Sequence, residues 1–253
     1  MNKINMIRVG RTVFQEYGPR KDPSFNGFTN IVVLLKNTNE WGPLSPFELR
    51  DEQGRIMENV YQGAKIYPNV PKRTVINKET NKIAFNHPAE VHTDQNGNPN
   101  AKYYAWRKKV MECNYYLRYP AGFDNRHNCL YALAEKADGS VDENNRLDYI
   151  QSRKKIYVYE YCRLVKKEAK FKELQARIKA GENLLIIEVD GPHQESLGYY
   201  KQKYGVGNDF IQNETMLVTN DNIKIMLNDP KHPFGHGYCL AMALLDKEVE
   251  WNI

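Results

Sequence analysis

The chain has little of what usually assigns a protein at sight. Its 253 residues hold four cysteines, Cys113, Cys129, Cys162 and Cys239, widely spaced and with no Cys-x-x-Cys pair. The opening MNKINMIRVGRT has no apolar signal core, so a cytoplasmic protein with four reduced thiols is expected. The six histidines and four cysteines show no zinc-ligand spacing, and neither metal nor cofactor is expected. No apolar run approaches the ~18 residues that span a bilayer. Short, mostly apolar stretches stand at 31–35 and 184–189. Phosphate-cradling Gly-x-x-x-x-Gly-Lys-Ser/Thr, dinucleotide-binding Gly-x-Gly-x-x-Gly, Gly-x-Ser-x-Gly, His-Glu-x-x-His and the deaminase Pro-Cys-x-x-Cys are all missing. P-loop hydrolysis, Rossmann dehydrogenation, zincin proteolysis and zinc deamination thus lack support.

Charge of one sign is not in large excess either. Thirty-six Lys and Arg face 31 acids, for a net charge of +5, and the mean hydropathy is −0.70. That balance names no acidic partner by itself. Seventeen tyrosines and three tryptophans lie among the basic residues. Such aromatics suit stacking on bases, and they suit a hydrophobic core equally well. The length is enough for a sizeable core. We expect an α+β fold, a predominantly helical single domain over residues 1–253 with a small β-sheet.

Periodicity and turn residues give the elements. A strand is expected at 30–35, a tight turn at 51–54, and a helix at 55–67 closed by Pro68 and Pro71. A loop is expected at 86–100, a basic amphipathic helix at 101–118, a loop at 120–128 and a helix at 129–136, followed by a polar surface connection. Residues 146–179 read as a long helix broken near 157–161, with Gly181 as its C-cap. LLIIEV at 184–189 is the clearest buried strand. A helix at 196–204, a strand-turn-helix at 214–228 and a buried helix at 238–245 complete the chain.

Three places set polar residues beside apolar structure. Glu58, Tyr61, Gln62 and Lys65 stand at i, i+3, i+4 and i+7, on one helix face. This is either a site or simply the solvated side of an amphipathic helix, and Glu58 and Lys65 are too far apart for an i,i+4 pair. Asp190 follows the LLIIEV strand, where ligands collect, although Asp-Gly-Pro is also an ordinary turn; His193 and Glu195 can join the same loop. Asn228-Asp229, His232 and Gly235-His236-Gly237 precede a helix. Glycines there let an anion approach the helix N-terminus, or merely relieve a crowded turn.

Residues 41–67 resemble the NADAR, or YbiA-like, family. That family has an aromatic, Ser-rich loop, a Gly turn and Glu-His-x-x-Gln-Ala-x-Lys on a helix. Here stand Leu44-Ser45-Pro46-Phe47, Gly54 and Glu58-Asn59-Val60-Tyr61-Gln62-Gly63-Ala64-Lys65, with Asn59 in place of the His. Trp106-Arg107-Lys108-Lys109-Val110-Met111 is similar to a middle helix of the family. Asn228-Asp229, Phe234-Gly235-His236-Gly237 and Tyr238-Cys239-Leu240-Ala241-Met242 are similar to its C-terminal motif, with Phe234 where Trp is usual.

The resemblance implies a YbiA-like core and cleavage of N-glycosidic bonds, with a basic insertion at about 120–185. Such cleavage builds positive charge on the sugar, which a nearby carboxylate stabilises. On this reading Glu58 is the first catalytic carboxylate, with Asp190 or Asp229 as the second. Arg55 and Lys65 hold a phosphate, Tyr61, Gln62 and Trp106 contact the base, and His236 contributes to substrate binding. Lys154, Lys155, Lys166 and Lys167 are either a solvated basic surface or a polynucleotide contact. The leading expectation is a DNA glycosylase releasing a modified or damaged base, in a setting such as defence against phages. The alternatives are an ADP-ribosyl hydrolase acting on nucleobases and a non-catalytic nucleic-acid-binding module. DNA or a nucleotide is the expected partner, with no membrane and no obligate protein partner.

Overall fold

The computed structural model describes residues 6–16, 18–34, 40–77, 82–136 and 138–247, and it shows a mixed α/β chain. In order, the elements are β1 (Ile7–Arg11), β2 (Thr29–Val32), α1 (Met57–Gly63), β3 (Lys65–Ile66), β4 (Asn69–Asn77), β5 (Lys82–Val91), α2 (Ala101–Met111), β6 (Tyr131–Glu135), β7 (Val141–Leu147) and α3 (Tyr149–Ser152). Then follow α4 (Tyr159–Val165), α5 (Ala169–Lys179), β8 (Leu184–Glu188), α6 (Leu197–Tyr204), β9 (Thr215–Leu217), α7 (Asn220–Asn228) and α8 (His236–Leu244). A π-helical stretch, Arg153–Val158, joins α3 to α4. The chain, expected as one domain with a basic insertion at about 120–185, divides into two compact units. One takes in Met1–Glu48 and Val158–Ile253, the other Leu49–Tyr157.

In the first unit, β8 lies between β2 and β1 and runs parallel to both, while β9 pairs antiparallel with β1. A parallel strand needs both faces covered, which is why its sequence is an unbroken apolar run and why Leu184–Glu188 is buried throughout. Helix α8 packs on β1, β8 and α4. It is apolar all round, as a helix enclosed by protein must be, and every residue from His236 to Leu244 is buried. Helix α5 ends in a paired cap. Gly181 adopts φ +93°, its N–H reaches the Ile178 carbonyl, and Glu182 N–H reaches that of Arg177.

In the second unit, α1 packs against α2, with Gly63 facing Met111. Strands β3, β6 and β7 form an antiparallel sheet, and β4 pairs with β5 as a hairpin. Asn100 caps α2 by accepting from the N–H groups of Lys102 and Tyr103.

Several expected elements differ. The helix expected at 55–67 is only α1, because Lys65 and Ile66 pair instead with Ala132 and Tyr131; Pro68 and Pro71 therefore do not end it. The helix expected at 101–118 stops at Met111. Beyond it, the Asn59 side chain donates to the carbonyls of Cys113 and Tyr115 and accepts from Leu117 N–H, holding that stretch in an open conformation. Residues 131–135 form a strand, not a helix, and the polar connection after them supplies its partner β7 across a turn at Gly139. The loop expected from residue 86 begins only after β5. The break in the long helix falls at 166–168, between α4 and α5, rather than at 157–161. Of the strand expected at 30–35, β2 covers residues to Val32, and Leu35 lies outside the described residues.

Candidate active site

Helix α1 is the first candidate, and its polar face is not solvated. All seven residues are buried, with Glu58 only 6 % exposed. The i, i+3, i+4 spacing turns Glu58, Tyr61 and Gln62 to one side of a single helical turn, and Lys65 follows at the start of β3. Gln62 Nε2 donates to Glu58 Oε1 at 2.7 Å, and Lys65 Nζ donates to Gln62 Oε1 at 2.9 Å. This fixes the amide orientation, with its NH₂ toward the carboxylate and its oxygen toward the ammonium. Lys65 Nζ also sits 4.2 Å from the centre of the Tyr61 ring, which packs on Tyr157 at 4.9 Å. Burial pulls the Lys65 ammonium below its ordinary pKa, opposed by Cys129 and Glu58. Burial likewise pushes the Tyr61 phenol far up.

Arg55 and Arg107 form a second feature of this unit. Arg55 pairs with Asp51 at 2.6 Å and Glu135 at 3.0 Å. Arg107, in α2, reaches the same Glu135 at 3.2 Å. Arg107 is 5 % exposed, and its Nε and Nη1 have no hydrogen-bond partner among the described residues. Arg55 and Arg107 line a cavity of about 390 Å³, together with Lys108, Tyr104, Glu112 and Glu135. A buried cation with unused donors, beside open space, fits an anion. Trp106 is placed otherwise: half-buried, it packs on His92 at 5.3 Å and on the Ile66, Tyr103, Tyr131 and Leu133 cluster.

The remaining predicted residues are spread over both units. Lys154 and Lys155 lie in the π-helical stretch of the second unit; Lys154 is half-buried and its ammonium is pulled down by burial. Lys166 and Lys167 lie in the first unit, where Lys166 is paired with Asp246 at 2.8 Å. Glu58 belongs to the second unit, Asp190 and Asp229 to the first.

The glycines before α8 do make room for a group, and it is a carboxyl group of the protein itself. Glu188, the last residue of β8, lies 3.0 Å from Gly237 N–H. A Cβ at Gly235 would stand 2.1 Å from Glu188 Oε2, and one at Gly237 2.9 Å from Oε1. Only glycine leaves room for the carboxyl group. Burial, reinforced by the charge of Asp190, pushes the Glu188 carboxyl well above the usual range, against the N–H groups of His236, Gly237 and Tyr238 that favour its ionised form. His236 is buried beside it, Nδ1 at 3.3 Å from Glu188 Oε2. Its Nε2 donates to the Val33 carbonyl. With Nε2 donating to Val33, the Nδ1 and Oε2 atoms share a proton between the ring and the carboxyl group. His236 is thus enclosed within the core, and Asp190 sits half-buried in the turn that follows β8.

Asp229 is fully buried, at 0 % exposure. Oδ1 accepts from Tyr199 OH at 2.6 Å and Tyr204 OH at 3.3 Å, and Oδ2 from Tyr200 OH at 3.0 Å. His232 Nδ1 lies 2.6 Å from the same Oδ2, and His232 Nε2 lies 2.9 Å from Ser196 Oγ. Burial alone would raise the Asp229 pKa. Donation from Tyr199, His232, Lys231 N–H and Tyr200 outweighs it and holds the group at about 2. The neighbouring His193 pairs with Glu195 at 3.0 Å, and Glu195 with Arg11 at 2.8 Å.

Sequence reasoning did not single out Arg107, Glu188, Ser196 or the tyrosines around Asp229. Glu188 had a signal, a carboxylate inside an otherwise apolar strand. Ser196 and the tyrosines had none, because only folding brings α6 against the turn after α7. Comparison with protein-family models, curated proteins and solved structures finds no match for this chain.

Proposed function

We propose that this chain hydrolyses an N-glycosidic bond, with a modified or damaged base in DNA as the leading substrate and Glu58 as the carboxylate facing the sugar. The observation that carries the reading is the buried chain Glu58–Gln62–Lys65. The leaving base takes the bonding electron pair, and positive charge develops on the sugar. A carboxylate held by a fixed amide donor away from bulk water opposes that charge strongly and can activate the attacking water. An ammonium has three donors, and Gln62 takes one from Lys65, leaving it suited to a substrate oxygen. Asp229, already holding several donors, is not assigned the part of second carboxylate. Arg55 and Arg107 supply an anion site for a phosphate of the substrate. No helix among the described residues is long and apolar enough to cross a membrane, and we read the site of action as cytoplasmic.

The test is incubation with phage genomic DNAs carrying different base modifications, followed by mass spectrometry for free base. Wild type should release one, and Glu58→Gln should lower the rate by about 10³-fold, within the usual reach of acid–base catalysis. Full activity in Glu58→Gln refutes the assignment.

A second reading is an ADP-ribosyl hydrolase. The Lys166–Asp246 pair and the partial burial of Lys154 favour a small substrate over a polynucleotide. Release of ADP-ribose from a nucleobase, unaffected by neutralising Lys154, Lys155, Lys166 and Lys167, would select it. Salt-sensitive DNA binding without any product would instead mark a binding module.

A further inference from the structure

Ser196 occupies the N-cap position of α6, where a serine ordinarily accepts from the helix's first N–H groups. Here it makes no such bond, and its hydroxyl faces His232 Nε2 at 2.9 Å. On the other side of that ring, Nδ1 lies 2.6 Å from Asp229 Oδ2. An ionised carboxylate only accepts, so Nδ1 carries the imidazole proton and Nε2 is the bare nitrogen. Ser196 Oγ–H therefore donates to a nitrogen able to take its proton. Tyr199, Tyr200 and Tyr204 fix the carboxylate through their hydroxyls, so the ring is held from behind. Ser196 and His232 are partly open to solvent. Gly198, in the first turn of α6, is exposed, and nothing lies within 4 Å of where its Cβ would stand. A 3-10 turn at Gln194–Ser196 leads into α6 and takes Leu197 N–H with the Gln194 carbonyl, while the Gly198 backbone beyond it is open to a ligand. A cavity of about 440 Å³, lined by Phe25, Asn208 and Ile211, borders Gln194 on the same turn as Ser196.

We propose that Ser196, His232 and Asp229 form a nucleophilic hydrolase site for carboxylic esters, independent of the glycosidase reading. Ser196 Oγ attacks the ester carbonyl carbon while its proton passes to His232 Nε2. The tetrahedral oxyanion faces the open backbone at Gly198. Its collapse breaks the C–O bond to the alcohol, which leaves with the proton from His232. Water then attacks the acyl-serine, gives a proton to His232, and the carboxylic acid departs as Ser196 recovers its hydrogen. Asp229 is a positioning residue, holding the ring in the productive tautomer.

The experiment treats the full chain with a fluorophosphonate probe, locates the adduct by peptide mass spectrometry, and follows p-nitrophenyl acetate hydrolysis in parallel. The expected result is one adduct, on Ser196, and turnover that falls about 10³-fold in Ser196→Ala, with an unchanged circular dichroism spectrum. Labelling should slow at least about 100-fold in His232→Gln. In Asp229→Asn, kcat for p-nitrophenyl acetate should fall with KM little changed, because the ring loses the carboxylate that holds its Nδ1–H. The proposal is overturned by absence of an adduct on Ser196 in the wild type, by hydrolysis indifferent to Ser196→Ala, or by labelling indifferent to His232. Should the His232 or Asp229 variants fail to fold, wild type and Ser196→Ala decide the matter.

Discussion

Replacing Glu188 by Gln should stabilise the protein progressively as the pH rises. Glu188 is 1 % exposed, and its carboxyl lies well above the ordinary value of 4.5, chiefly because burial penalises the charge. Below about pH 4.5 both the folded and the unfolded chain hold this proton. Above it, the unfolded chain releases the proton while the folded chain keeps it. The stabilising contribution is thus complete at low pH and declines as pH rises toward the folded pKa, by about 1.4 kcal/mol per pH unit within that window. Glutamine has the shape of the protonated acid. Its oxygen can accept from Gly237 N–H, and its NH₂ can donate to His236 Nδ1, which lies 3.3 Å from the wild-type carboxyl oxygen. The variant carries no titrating group, so its stability relative to wild type should climb by the same amount per pH unit. Denaturant unfolding of both proteins at pH 5, 6, 7 and 8 measures this, and taking the difference cancels the titration of every group remote from Glu188. A difference independent of pH would refute a protonated Glu188.

The other predictions concern the remaining polar contacts. Asn59→Ala should destabilise the second unit by about 3 kcal/mol in denaturant unfolding, since two carbonyls and Leu117 N–H lose their partner together. Gly235→Ala should abolish folding of the first unit, read by circular dichroism, because the added carbon would stand 2.1 Å from Glu188 Oε2. Gly181→Ala should cost only about 1 kcal/mol, with strain at φ +93° but open space around it. Inorganic phosphate should raise the melting temperature of wild type, equivalent to about 2.7 kcal/mol at one hundred times its dissociation constant, and should not protect Arg107→Met.

Much of the backbone was legible from local pattern. The LLIIEV run made a central parallel strand because strands covered on both faces are apolar throughout. YCLAMALL made an enclosed helix for the same reason, and Gly181 made a cap because it tolerates a positive φ. The spacing of Glu58, Tyr61 and Gln62 put them on one face, but spacing is blind to whether a face meets water or protein. The segments at 65–66, 131–135 and 141–147 were misread because short strands depend on partners elsewhere in the chain, and tertiary pairing overrides local preference.

By itself, then, the sequence determined the strongly apolar elements, the main turns and the common face of Glu58, Tyr61 and Gln62, all of which follow from periodicity and backbone sterics within a few residues, whereas Lys65 reached that cluster from β3. The tertiary structure decided what was buried and what met what. It enclosed α1 and buried two nitrogens of Arg107 without a hydrogen-bond partner among the described residues. It filled the space at Gly235 with the Glu188 carboxyl and set Ser196 against His232, 36 positions away. These contacts join residues far apart in the chain, and their energies come from burial and hydrogen-bond geometry that no local stretch of sequence contains.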